Sequence, residues 1–210
     1  MCASVGASAV VGFDAFDSDT VQALHRAGAH VVLPSLPAGA PVMHPVGRVQ
    51  AEHLIARGHR RIGYALPAHE GLLPMAEERL QGVAAACTDA GVHPPLALGT
   101  SLDADSAARA VAQWREHSVT GVCAFNDETA IAVLAGMREH GLAVPADIAV
   151  VGADDIPTAR LTSPPLTTVA FDMDQAVERR AMAIVAELSG GREVIESTKL
   201  DPRIVPREST

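Results

Sequence analysis

The strongest constraint on this chain is an alternation of short β-branched runs with helical segments, repeated from one end to the other. Such alternation calls for parallel strands joined by crossover helices, an α/β fold with helices covering the sheets. Ala9 to Phe13 and His30 to Leu33 read as strands around a helix opened by Asp17, Ser18 and Asp19, and Gly47 to Arg57 reads as a helix closed by Gly58. Arg61 to Leu66 is the next strand, a helix runs from Glu77 to Ala90 after the loop with Pro67 and Pro74, and a weak strand follows near Leu96 to Leu98. Ala107, Ala110, Val111 and Trp114 recur at the spacing of a helix stripe that lies on a sheet. Val119 to Phe125 stops at Asn126-Asp127, where the amphipathic helix through Ala130, Val133, Leu134 and Met137 begins, and Ile148 to Gly152 is a further strand before Asp154-Asp155. Thr167 to Phe171 is extended, Val177 to Leu188 carries another helical stripe, and Val194 to Val205, broken by Pro202, fits only an edge strand or strap.

Bulk properties narrow the function. With 210 residues there is chain for one large domain or two lobes, and 48% hydrophobic residues with 20% charged ones give an ordinary folded globule. A net charge of -9 disfavours a phosphate-neutralising surface, which needs clustered Lys and Arg. No apolar run reaches the roughly 18–20 residues of a membrane helix and no basic stretch precedes a hydrophobic one at the start, so the expectation is a cytoplasmic protein with no membrane partner. Cys2, Cys87 and Cys123 are odd in number and far apart, and the nine histidines are dispersed, so neither a disulfide framework nor a metal site is expected.

Ligands in open α/β sheets sit beyond the carboxyl ends of the strands, at switch points, and Asp127 and Asp154 fall at such ends. The residues alone leave alternatives open. Asp127 at a helix start also suits the macrodipole, Arg79 could pair with Glu77 or Glu78 on a surface, and Asp154-Asp155 could cap or brace a turn. Paired acids invite a hydrolase reading, but no nucleophile and base accompany them, so no enzyme and no cofactor is expected.

Several phrases in order resemble the LacI/GalR family of transcriptional regulators: Gly58-His59-Arg60-Arg61-Ile62-Gly63, Arg79-Leu80-Gln81-Gly82, Phe125-Asn126-Asp127 with Ala130, Gly141 through Asp155, Ser163 to Val169 and Pro206 to Thr210. The resemblance implies two Rossmann-like lobes of the type-I periplasmic-binding-protein kind, with residues 1–58 plus 157–190 in a first, incomplete lobe and 60–155 plus 195–210 in the second. It implies a small-molecule effector such as a sugar, nucleoside or polyol, bound in an interlobe cleft by Arg79, Asp127, Asn126 and Asp154. Arg79 would act as a planar fork and Asp127 as an ionised acceptor. It also implies a homodimer in the intact family member, with DNA bound only through a helix-turn-helix that is not read among these 210 residues. The alternative is a sugar-binding receptor of a transporter, which shares the fold.

Overall fold

A strand that must be buried on both faces is best served by small and β-branched residues, and Gly121–Ala124 (β5) and Ala149–Ala153 (β6) are built of nothing else but one cysteine. In the computed structural model every residue of both strands is buried. The structure describes residues 8–16, 18–35, 45–171 and 202–210, with the single positions 182 and 185. The stripe expected at 177–188 lies largely outside these residues.

Two units are distinguished, Met1–Val42 with Asp172–Leu200 and Met43–Phe171 with Asp201–Thr210. In the first, Ala9–Phe16 (β1) and Val31–Ser35 (β2) pair in parallel through the crossover helix Ser18–Arg26 (α1), the expected β-α-β arrangement. Among the described residues β1 is paired only with β2. The second unit is a six-stranded sheet in the order β4-β3-β5-β6-β7-β8, where β3 is Ile62–Pro67, β4 Leu96–Thr100, β7 Thr167–Ala170 and β8 Arg203–Val205. All neighbours are parallel except β8, which runs antiparallel to β7 at the edge, the place a segment following Pro202 can occupy.

Helices Pro45–Ala56 (α2) and Leu73–Asp89 (α3) bury Ala51, Leu54, Ala76, Val83 and Cys87 in one cluster with Ile62 and Tyr64. Ala104–Glu116 (α4) and Asp127–Glu139 (α5) build the other, in which Trp114 and Met137 are wholly buried. The stripe Ala107, Ala110, Val111 and Trp114 is thus core, and the indole nitrogen of Trp114 donates to the Leu96 carbonyl at 3.0 Å.

Two boundaries differ from the sequence reading. Helix α3 begins at Leu73 rather than Glu77, because Pro74 sits in its first turn, where a missing N–H costs nothing. The two units divide near 42 and 171, where the sequence reading placed the divisions near 58 and 157. Helix α2 belongs with the six-stranded sheet because the buried Gln50 Nε2 donates to the carbonyls of Ala124 (2.8 Å) and Gly152 (2.9 Å), and β7 belongs there because it pairs with β6.

The contact between α2 and α3 depends on a glycine. A Cβ at Gly47 would stand 1.8 Å from the Arg79 carbonyl oxygen, a backbone atom that cannot swing away. Gly47→Ala should therefore destabilise the fold by about 1–3 kcal/mol, outweighing the roughly 1 kcal/mol that alanine gains over glycine in a helix. Gly99→Ala, where an added Cβ meets nothing within 4 Å, is the control. Equal midpoints for the two variants in urea unfolding would contradict this packing.

Candidate functional site

The strand order reverses between β3 and β5: β4 follows β3 on one side of it, and β5 lies on the other. Loops leaving the carboxyl ends of two such strands diverge and leave a crevice. A cavity of about 330 Å³ is found there, lined by Pro67 at the end of β3 with Ala68 and His69 after it, Thr100 at the end of β4, and Asn126 and Thr129 after β5.

Asn126 is held by the helix it starts. Its backbone is extended (φ −147°, ψ 179°) and its Oδ1 accepts from the Thr129 amide at 2.9 Å and the Thr129 hydroxyl at 2.8 Å, a cap for the unpaired first turn of α5. The carbonyl side of the amide is therefore committed, and its Nδ2 donates to no group among the described residues.

Arg79 lies on α3 with only 6% of its surface exposed, so a surface pairing with Glu77 or Glu78 does not describe it. Its guanidinium lies 4.8 Å above the Phe125 ring, Nη1 donates to the Phe125 carbonyl, and Nη2 is 3.5 Å from Asp154 Oδ1. Nε is buried without a hydrogen-bond partner among the described residues. Burial pushes the Asp154 carboxyl up and the Arg79 charge opposes the shift. Asp154 and Asp155 both have positive φ (100° and 48°), a region that L-residues with side chains rarely occupy and that costs of order 1–3 kcal/mol each. The Asp154 amide is fastened to the Val169 carbonyl at 2.8 Å, and Asp155 is paired with Arg207, whose Nη1 also donates to the Leu166 carbonyl at 2.8 Å.

Asp127 follows Asn126 as the first residue of α5. It is fully buried, and both oxygens are engaged inside the fold: Oδ1 accepts from the Thr168 hydroxyl at 2.5 Å and Oδ2 from the Ile156 amide at 2.9 Å. It is therefore not an outward-facing acceptor, because the β6 and β7 ends close over it. Burial pushes its carboxyl up to about 6, with the two hydrogen bonds pulling down and the charges of Asp154 and Asp155 pushing up.

The structure thus gathers Arg79, Asn126 and Asp154 around the ends of β5 and β6 and turns Asp127 inward beside them. Thr168, Arg207 and Gln50 were not singled out in the sequence. The available signals were the family phrases that contain Thr168 and Arg207, and polarity in an apolar setting: a Thr-Thr pair inside a strand and a glutamine on the buried face of a helix. Among the described residues no group of three His, Cys, Asp or Glu is placed to hold a metal, and Cys87 and Cys123 are buried free thiols. No described helix is long and apolar enough to cross a membrane.

Residues 51–210 match the family model for the periplasmic binding protein-like domain. The transcriptional regulator GalR of Escherichia coli (strain K12) is 31% identical over 162 residues, covering 75% of this chain and 46% of the relative, and GalS of Salmonella typhimurium is 29% identical over 171 residues, covering 77% and 48%. The chain spans about half the length of these curated relatives. Among solved structures, the Lac repressor dimer bound to operator and the anti-inducer ONPF superposes with a TM-score of 0.78 at 25% identity, covering 98% of this chain and 73% of that one. A sheet ordered around a switch point, an Asn-Asp step at the end of its central strand and a family match from residue 51 to 210 converge. The chain belongs to the periplasmic binding protein-like domain family and is similar in sequence to regulators of the LacI/GalR kind.

Proposed function

We propose that this chain binds a small polyhydroxylated effector, a sugar or a related metabolite, and that binding controls a transcriptional regulator of which it is the sensing part. The observation that carries the reading is the Arg79–Asp154 pair at strained carboxyl-end backbone after β6, together with the cavity lined by Asn126 after the neighbouring β5. A planar fork with an unpartnered Nε, a carboxylate and an uncommitted amide offer donors and acceptors in fixed positions, which suits a ring bearing several hydroxyls. The relatives are regulators and not enzymes, which favours this reading over catalysis and over a transporter's receptor.

DNA reading is assigned to a segment other than these residues, in keeping with their net charge of -9. In gel retardation the 210-residue chain alone should give no sequence-specific, salt-dependent shift of double-stranded DNA. Such a shift would overturn the assignment.

The binding claim is tested by calorimetry with a panel of mono- and disaccharides, nucleosides and polyols. One compound should bind, and Arg79→Ala and Asp154→Ala should each weaken it by about 1.5–3 kcal/mol, the worth of a hydrogen bond to a charged group. Binding by none of the panel, or unchanged affinity in both variants, would contradict the proposal.

A further inference from the structure

We infer that Asp127 is a positioning residue, which holds the strained turn after β6 so that Asp154 meets Arg79, and is not itself an effector contact. The inference rests on the proposed effector site but is read from geometry within the fold. Asp154 and Asp155 sit at positive φ, so the turn needs outside restraint on both flanks. On its upstream flank the Asp154 amide is tied to Val169. On the downstream flank the first amide after the strained pair, Ile156, donates to Asp127 Oδ2 at 2.9 Å. The other carboxylate oxygen is fastened to Thr168 Oγ1 at 2.5 Å, on β7, so the restraint is anchored to the sheet and not only to α5. Space for this carboxylate exists because residue 152 is glycine: a Cβ there would stand 2.1 Å from Asp127 Oδ1.

A neutral residue would be easier to bury. The charged groups around Asp127 are Asp154 and Asp155 on the turn itself, Arg79 on α3, which faces Asp154, and Arg207 on the segment after β8, which faces Asp155. Burial, with a smaller push from the two nearby acids and against the pull of the two hydrogen bonds, raises the Asp127 carboxyl to about 6. A carboxyl raised on folding contributes stability that is present below its unfolded value and is lost as pH rises through the folded one. The stability of the wild type relative to Asp127→Asn should therefore fall as pH rises from about 4 to above 6. Ionised at neutral pH, the group costs stability, yet it offers two acceptors where the turn and β7 supply two donors.

The test compares wild type, Asp127→Asn, Asp127→Ala and Gly152→Ala in the 210-residue chain. Hydrogen exchange read by mass spectrometry and the pH titration of the Ile156 amide in NMR spectra are the readouts. In Asp127→Ala, exchange across 154–156 should rise at least tenfold while β3 and β5 stay protected. Asp127→Asn, which keeps one acceptor for the Ile156 amide, should return most of that protection. Gly152→Ala should behave like Asp127→Ala by displacing the carboxylate. The Ile156 amide should titrate with a midpoint of about 6 in the wild type and not in Asp127→Asn. Protection of 154–156 unchanged in Asp127→Ala, or a rise spread evenly over the whole sheet, would overturn the inference. Failure of every compound in the panel to bind the wild type would remove the proposed function while leaving these ligand-free readouts to decide the role of Asp127.

Discussion

Two opposite charges, Arg79 from α3 and Asp127 at the start of α5, are buried near the carboxyl end of β5, and the arrangement of the second unit follows from the need to satisfy both. Arg79 is 6% exposed and Asp127 is fully buried. A buried charge deprived of its partner costs roughly 3–5 kcal/mol, so each group must find partners where the strands end. Arg79 finds the Phe125 carbonyl and Asp154, while Asp127 finds the Ile156 amide and the Thr168 hydroxyl. These links join α3, the end of β5, the turn after β6 and β7, segments far apart in sequence. Gln50, bonded to carbonyls on β5 and β6, ties α2 to the same strand ends. Local sequence sets the elements, and this network sets how their ends meet.

Much of the fold was legible because its signals are local. The stripe from Ala107 to Trp114 repeats at helical spacing, and all four of its named residues are buried. The Asn-Asp step marks a strand end and a helix cap at once, and Asn126 caps α5 through its side chain. Other features depend on contacts that periodicity does not encode. Pro74 reads equally well as loop or as first helical turn, and only the packing of Ala76 and Arg79 against the sheet decides for the helix. Whether Asp127 points outward or inward depends on Gly152 and Thr168, residues on two other strands. The side of the molecule to which α2 belongs is likewise decided by Gln50, a single polar residue on an otherwise apolar helix face. Resemblance to a family supplied the order of the phrases and named Arg79, Asn126, Asp127 and Asp154 together, but not the division of labour among them.

That division has a physical basis. Asp154 and Asp155 occupy backbone conformations that a relaxed loop would abandon, and strain of this kind persists only where the surroundings over-determine it. Here each acid is held by an arginine and the flanking amides are held by Val169 and Asp127. The outcome is a set of polar groups fixed before any ligand arrives, which reduces the ordering cost of binding. In the proposed function rigid strands carry the site, and the cavity lined by Asn126 leaves room for a ligand of modest size.

The central claim is that ligand recognition belongs to the carboxyl ends of the six-stranded sheet. Amide chemical-shift mapping with the best-binding compound of the panel at saturation tests it most directly. The account predicts the largest shifts at 67–69, around Arg79, and at 125–128 and 154–156. Shifts concentrated instead at the amino ends of the strands, around the smaller cavity lined by Arg61, His93 and His117, would contradict it.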